Sequence, residues 1–286
     1  MTNELKRYLK NKKNLEDAFL YNPGHEHDSC GVGFVASTDG KQRREVVQGG
    51  IDALKAVWHR GAVDADGKTG DGAGILTQIP YNFFDDEIAK TGHEKRDEPL
   101  GIGMMFLPRN DYAALEKCRT IIESELLDHG YYIYGWRQVP INNSVIGEKA
   151  NSTRPEIEQV MFVNNIERDK DFDFAKELYL VRRRLEKRIA KQQINGFYVC
   201  SLSFESIIYK GLFLAEQLSI FYPDLANEEF ISSFAVFHQR YSTNTFPSWG
   251  LAQPFRLLAH NGEINTISGN TNWMRNHQTR ITTEIF

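Results

Sequence analysis

The sequence predicts an α+β fold. Short apolar runs bounded by glycine, proline or polar clusters read as strands, and longer segments whose apolar residues recur every three or four positions read as helices. The two kinds follow one another in mixed order along the 286 residues, without an internal repeat or a low-complexity segment.

Residues 1–29 carry five Lys/Arg and five Asp/Glu and no apolar run, and are punctuated by Asn22-Pro23-Gly24, so they read as an extension and not as a core element. Residues 31–37 read as a buried strand that opens directly after Cys30. Residues 45–58 follow as an amphipathic helix with Val46, Gly50, Leu54, Val57 and Trp58 on one side. A glycine-rich turn, Thr69-Gly70-Asp71-Gly72-Ala73-Gly74, leads into a strand over 75–80. Residues 101–107 form a strand candidate. Asn110 or Asp111 then caps a helix through Leu127 whose shared face is Ala114, Cys118, Ile121, Ile122 and Leu126, ended by Gly130. Residues 141–153, rich in Asn and Ser, read as a surface loop, and 156–164 as a strand. Residues 171–192 place Phe174, Leu178, Val181, Leu185 and Ile189 on one helix face. Arg182-Arg183-Arg184 on that helix reads as a solvated face in preference to a site for an acidic partner. Residues 197–204 and 206–209 read as neighbouring strands, with Cys200 a structural thiol inside the first, and a helix over 213–221 and a strand over 230–238 complete the pattern.

With 41% hydrophobic and 25% charged residues, the composition is that of a globular chain able to bury a sizeable core. A formal charge of -4 and a pI near 6.1 give no electrostatic footprint for nucleic acid and favour a small-molecule substrate. No stretch approaches the ~20 apolar residues of a membrane span. The leader has neither the apolar run of a secretory signal nor the acid-poor composition of an organellar presequence, so a cytoplasmic location is expected. Three cysteines, at 30, 118 and 200, match neither a disulfide framework nor a Cys-x-x-Cys metal site, and each is read singly.

Cys118 and Cys200 fall inside a helix and a strand and read as core thiols. Cys30 stands apart, because a polar leader ends at Ser29 and a strand opens directly after Cys30. A cysteine exposed as a new N-terminus carries its own base, since an α-amino group titrates at about 7.7–8.0. On that reading the Ser29–Cys30 bond is cut and residues 1–29 are a propeptide. Other arrangements stay open from the residues alone. His238 and His260 offer a Cys-His pair of the kind that needs no cleavage. His25, Glu26, His27 and Asp28 are metal-ligand types on a leader without fixed geometry, so no metal is expected. The Thr69 to Gly74 turn lacks the Lys-Ser/Thr of a phosphate loop and reads as close backbone packing. Arg60, in His59-Arg60-Gly61 at a helix end, either orients the nucleophile region or caps helix carbonyls.

Five ordered blocks carry a family resemblance: Cys30-Gly31-Val32-Gly33-Phe34, His59-Arg60-Gly61-Ala62, Thr69 to Ile75, His238-Gln239-Arg240-Tyr241-Ser242-Thr243-Asn244-Thr245-Phe246-Pro247 and Ala259-His260-Asn261-Gly262-Glu263-Ile264-Asn265. Together they resemble the class II glutamine amidotransferase domain at the N-terminus of the glutamate synthase large subunit, from about residue 20 to the end. The resemblance implies an N-terminal nucleophile hydrolase fold, a four-layer αββα sandwich. It implies one such domain over 30–286, incomplete at its C-terminus, with the aspartate that binds the substrate α-amino group beyond Phe286. It also implies the roles. Cys30 is the nucleophile, the Asn261 side-chain amide and the Gly262 N–H form the oxyanion hole, Arg240 clamps the α-carboxylate of L-glutamine, and Ser242 and Thr243 add hydrogen bonds.

The chemistry expected from the resemblance is glutamine hydrolysis through a γ-glutamyl thioester. The ammonia passes to 2-oxoglutarate in a synthase domain or partner that uses FMN, an iron-sulfur cluster and NADPH, NADH or ferredoxin, none of it housed in these residues. The competing readings are a catalytically silent module that keeps its leader and only binds glutamine or a partner, and another N-terminal cysteine amidohydrolase.

Overall fold

The computed structural model describes residues 3–18, 22, 31–169, 171–240, 246–256 and 267–280. The chain divides into two compact units, Met1–Cys30 and Gly31–Phe286. Among the described residues of the first lies the helix α1 (Asn3–Asp17), on which Tyr8, Leu9 and Leu15 are exposed. The extension read from composition thus holds a helix that its polar sequence did not announce.

The second unit is built on two antiparallel four-stranded sheets. The first has the order β1 (Val32–Ala36), β8 (Phe234–Gln239), β2 (Ala73–Gln78), β7 (Ser206–Gly211). The second has the order β4 (Tyr131–Gln138), β5 (Glu156–Asn164), β3 (Leu100–Leu107), β6 (Tyr198–Ser203). Two-sheet α+β architecture agrees with the expected fold class. Helix α2 (Arg44–Ala56) lies on the first sheet, and Val46, Val47, Ile51 and Leu54 join Ile75, Ala235 and Phe237 in one buried cluster. Gly50 permits that approach, since a Cβ there would meet the Ala235 Cβ at 2.7 Å. The same cluster takes in Ile102, Met104 and Phe106 from β3, so both sheets share a core. All eight residues of β3 are buried because Met105 and Leu107 face a second cluster, under α4 (Tyr112–Asp128) and α6 (Phe174–Lys191). The two helices start where a carboxylate accepts an orphan N–H: Asp111 from Ala114 N at 3.0 Å, and Asp173 from Lys176 N at 3.0 Å.

A buried polar clamp crosses the shared core. Arg137 of β4 donates to both oxygens of Asp224 at 2.7 and 2.8 Å, to Glu87 at 2.7 Å and to Gln159 of β5 at 3.0 Å. Tyr209 of β7 donates to Asp224 at 2.8 Å and accepts from Gln159 at 2.9 Å, so the network joins strands of both sheets. Burial and the Asp224 carboxylate hold the Tyr209 phenol well above its usual range.

Several expectations are corrected. Helix α3 (Tyr81–Lys90) and strand β4 were not anticipated. Residues 141–153 are not simply a surface loop: they hold a 3-10 turn, Asn143–Val145, and α5 (Glu148–Ser152), with Ile146 and Ala150 buried. Strands β6 and β7, read as neighbours, join different sheets, β6 pairing with β3 and β7 with β2. The helix over 213–221 is a 3-10 turn, Ala215–Gln217, followed by α7 (Leu218–Phe221). Trp58 leaves the apolar face of α2, because the helix ends at Ala56 and a 3-10 turn, Trp58–Arg60, leaves the indole exposed. Arg182 and Arg183 are both paired with Glu186 on their own helix. The last described helix is α8 (Ile267–Gln278). Among the described residues no helix is long and apolar enough to cross a membrane.

Candidate functional site

Strand β1 begins at Val32, two residues after Cys30, and its entry is fixed by main-chain contacts to the end of β8. Gln239 N donates to Gly31 O at 2.6 Å, and the next residue, Arg240, donates its N–H to Gly72 O at 2.7 Å. Gly31 is buried, and a Cβ built on it would lie 2.2 Å from Gln239 O. No side chain fits there unless the two strands separate. The chain is thereby folded so that the residue after the candidate nucleophile and the candidate carboxylate clamp, far apart in sequence, share one strand end.

Arg240 sits at φ +93°, in the left-handed region that non-glycine residues rarely occupy. Such strain persists only where surrounding contacts over-determine it. Here they include the Arg240 N–H on Gly72 O, an Arg240 Nη1 bond to Arg60 O at 3.4 Å, and the Asp71 Oδ2 carboxylate 3.9 Å from Arg240 Nε. Asp71 is itself fixed: its Oδ1 accepts from Ala62 N at 3.0 Å, and its own N–H donates to Ala62 O at 3.1 Å. The Arg60-Gly61-Ala62 turn, the Asp71-Gly72 turn and the Gln239-Arg240 strand end therefore interlock around Gly31. The resulting cluster leaves the Arg240 side chain partly exposed.

Of the two readings of Arg60, the structure shows it at the end of the Trp58–Arg60 turn, with its N–H donated to Val57 O at 2.9 Å and its Cβ 3.7 Å from the position of a Gly31 Cβ. It is packed against Gly31, at the entry to β1. The Thr69 to Gly74 block is close-packed main chain: Gly70 abuts the Phe213 backbone, and Gly74 abuts Gln253 and Lys210. Lys210 is fully buried beneath that segment, its Nζ donating to Gly250 O at 2.8 Å and Ala252 O at 2.7 Å, and burial lowers its ammonium to about 8.

The remaining thiols are poor nucleophiles. Burial pushes Cys118 up to about 11 and Cys200 up to about 12, so both are protonated at neutral pH. His238 is fully buried in β8, opposite Val32 and Gly74. Ser29, Cys30, Ser242, Thr243, His260, Asn261 and Gly262, and the leader residues His25 to Asp28, lie outside the described residues. Among the described residues no group of three His, Cys, Asp or Glu is set to hold a metal ion. A groove of about 470 Å³ between α6, β6 and β7, lined by Leu178, Tyr179, Arg182, Ile208, Phe255 and Arg256 among others, shares no residue with the Gly31 cluster.

Sequence reasoning missed two members of the cluster, Asp71 and Gln239. Both stand inside blocks it singled out, Thr69 to Gly74 and His238 to Pro247, but their partners lie across long sequence separations.

Comparison with known proteins places the chain in a family. The model of the class II glutamine amidotransferases matches residues 30–286. The chain is 63% identical over 93% of its length to the glutamate synthase [NADPH] large chain of Azospirillum brasilense, of which it spans 18%. It is 42% identical over 96% of its length to the chloroplastic ferredoxin-dependent glutamate synthase of Spinacia oleracea, spanning 16% of that protein. It is 40% identical over 93% of its length to the glutamate synthase [NADPH] large chain of Bacillus subtilis, spanning 17%. The chain belongs to the class II glutamine amidotransferases.

Proposed function

We propose that this chain is the glutamine-hydrolysing part of a glutamate synthase, working in ammonia assimilation and glutamate biosynthesis in the cytoplasm, with Cys30 as an N-terminal nucleophile. The observation that carries the reading is the pinning of Gly31 and Arg240 at one strand end, which holds the residue after Cys30 and the only arginine of the His238 to Pro247 block in one interlocked cluster. The burial of Cys118 and Cys200 supports it, because neither is available as a thiolate.

In this mechanism the leader 1–29 is removed and the freed α-amine takes the proton of the Cys30 thiol. The thiolate attacks the side-chain amide carbon of L-glutamine, whose α-carboxylate lies in the planar fork of Arg240, with Ser242 and Thr243 adding hydrogen bonds. The Asn261 side-chain amide and the Gly262 N–H stabilise the oxyanion, a kind of donor worth ~2.7–4 kcal/mol in other enzymes. The C–N bond breaks, the proton taken by the α-amine goes to the leaving nitrogen, and ammonia departs. Water, deprotonated by the same amine, then cleaves the γ-glutamyl thioester to glutamate and regenerates the thiol.

The relatives are named for NADPH and ferredoxin, and in the full protein the ammonia passes to a synthase domain or small subunit, where it is used at the expense of such a donor. Among the described residues Cys118 and Cys200 are buried on separate elements in separate core clusters and do not fit an iron-sulfur cluster, and no redox step is assigned to them. The test is ammonia release from glutamine by the wild type and by Cys30→Ala. The expected result is loss of both activity and leader removal in Cys30→Ala. Undiminished hydrolysis in that variant refutes the mechanism.

A further inference from the structure

Gln239 stands opposite Gly31 and is fully buried, yet neither its Oε1 nor its Nε2 has a hydrogen-bond partner among the described residues. Buried side-chain amides are ordinarily paired, and an orphan calls for an explanation. The amide is not there by default of space. Gly61 makes room for it, since a Cβ at Gly61 would lie 2.0 Å from Gln239 Nε2. The neighbouring residue supplies a second orphan, for Arg60 Nε is also buried without a partner. An arginine Nε–H is only a donor and a carboxamide oxygen is an acceptor, so the two unmet groups are complementary.

Resting on the glutaminase reading above, we propose that Gln239 is a positioning residue of the reaction, its Oε1 accepting from Arg60 Nε–H when glutamine is bound. The consequence runs through the backbone. Gln239 is bonded to Gly31 through its own N–H, and the Arg60 carbonyl accepts from Arg240 Nη1. A Gln239–Arg60 pair closes a ring from the nucleophile strand, through the 58–62 turn, to the carboxylate clamp. Opened, the ring leaves the turn under Gly31 free to shift while Arg240 keeps its contacts to Gly72 and Asp71.

The experiment uses Gln239→Leu, Gln239→Glu, Arg60→Met and the Gln239→Leu/Arg60→Met pair in the chain that hydrolyses glutamine, with Cys30→Ala in parallel, reading kcat, KM and Tm. Gln239→Leu is expected to lower kcat about tenfold or more with the glutamine KM changed less than about threefold, because an ångström of misplacement acts on the chemical step. Its Tm should hold or rise, since an unpartnered buried amide has been removed. Gln239→Glu keeps the acceptor and should recover most of the rate, and the double variant should be no slower than the slower single one. A wild-type kcat in Gln239→Leu, or losses that multiply in the double variant, overturns the proposal while leaving the glutaminase reading intact. Hydrolysis that persists in Cys30→Ala overturns the reading and the proposal together.

Discussion

Gly31→Ala tests how tightly the nucleophile strand is held. The added Cβ falls 2.2 Å from Gln239 O and 3.3 Å from its carbonyl carbon, both main-chain atoms of a paired strand that no rotamer change can move. Ordinary carbon-to-oxygen contact needs roughly 3.4 Å, so β1 and β8 must part by about 1.2 Å at this point. That movement breaks the 2.6 Å Gln239 N to Gly31 O bond. A lost buried hydrogen bond of ~1 kcal/mol and overpacking of ~1–3 kcal/mol give a destabilisation of about 2–4 kcal/mol. The catalytic consequence is larger, since a 1 Å displacement at a reacting centre costs roughly a hundredfold in rate. Glutamine hydrolysis followed by ammonia release, with thermal unfolding alongside, measures both. Gly49→Ala is the internal control. Its Cβ meets only Val35 Cγ1 at 3.4 Å, and it lies within α2, where alanine is favoured over glycine by ~1 kcal/mol. A Gly31→Ala enzyme with kcat within threefold of wild type and unchanged Tm would refute the reasoning.

Arg240→Gly relieves the +93° φ and should stabilise the fold by about 1 kcal/mol while raising the glutamine KM at least about tenfold; a lower Tm with unchanged KM would contradict the assigned role. Arg137→Met leaves the buried Asp224 carboxylate without its two-point partner and should cost about 3–5 kcal/mol in urea unfolding, whereas a loss under 1 kcal/mol would show the clamp to be dispensable. Alkaline stability follows from buried titratable groups. The folded thiols of Cys118 and Cys200, at about 11 and 12, keep protons that the unfolded chain releases from roughly pH 8.5, so their contribution is full below that pH and falls above it. Lys210, at about 8 when folded, acts oppositely up to roughly pH 10.4, while the buried phenols of Tyr131, Tyr209 and Tyr222, held above their usual range, add to the loss as the pH nears roughly 10. Cys118→Ala/Cys200→Ala should make the slope between roughly pH 8.5 and 9.5 less negative, and an unchanged slope would refute the assignment.

What the sequence made legible is what local chemistry decides. Asn110 or Asp111 announced α4, because a short polar side chain just before an apolar period of three and four is a helix start whatever lies around it, and the apolar period itself announced α6. Strand β4 escaped because its register shifts between Ile133 and Gly135, so the buried residues are Tyr131, Tyr134 and Arg137, a spacing that is not that of a regular strand. The pairing of β6 and β7 with different sheets has no local signature: two apolar runs separated by Glu205 read as neighbouring strands, and only β3 and β2 decide otherwise. At the site, Arg240 was legible as a residue type within a polar cluster. Its strained backbone, its Asp71 neighbour and the room that Gly61 leaves for Gln239 were not, since each depends on contacts between segments far apart in sequence.

The central claim is that Cys30, freed as an N-terminus, carries the acyl group. Intact-mass spectrometry of the chain, acid-quenched during turnover with glutamine, tests it most directly. The account expects a species that begins at Cys30 and bears one γ-glutamyl group on that residue. Turnover by a chain that still begins at Met1 or Thr2, or an acyl group on any other side chain, would contradict it.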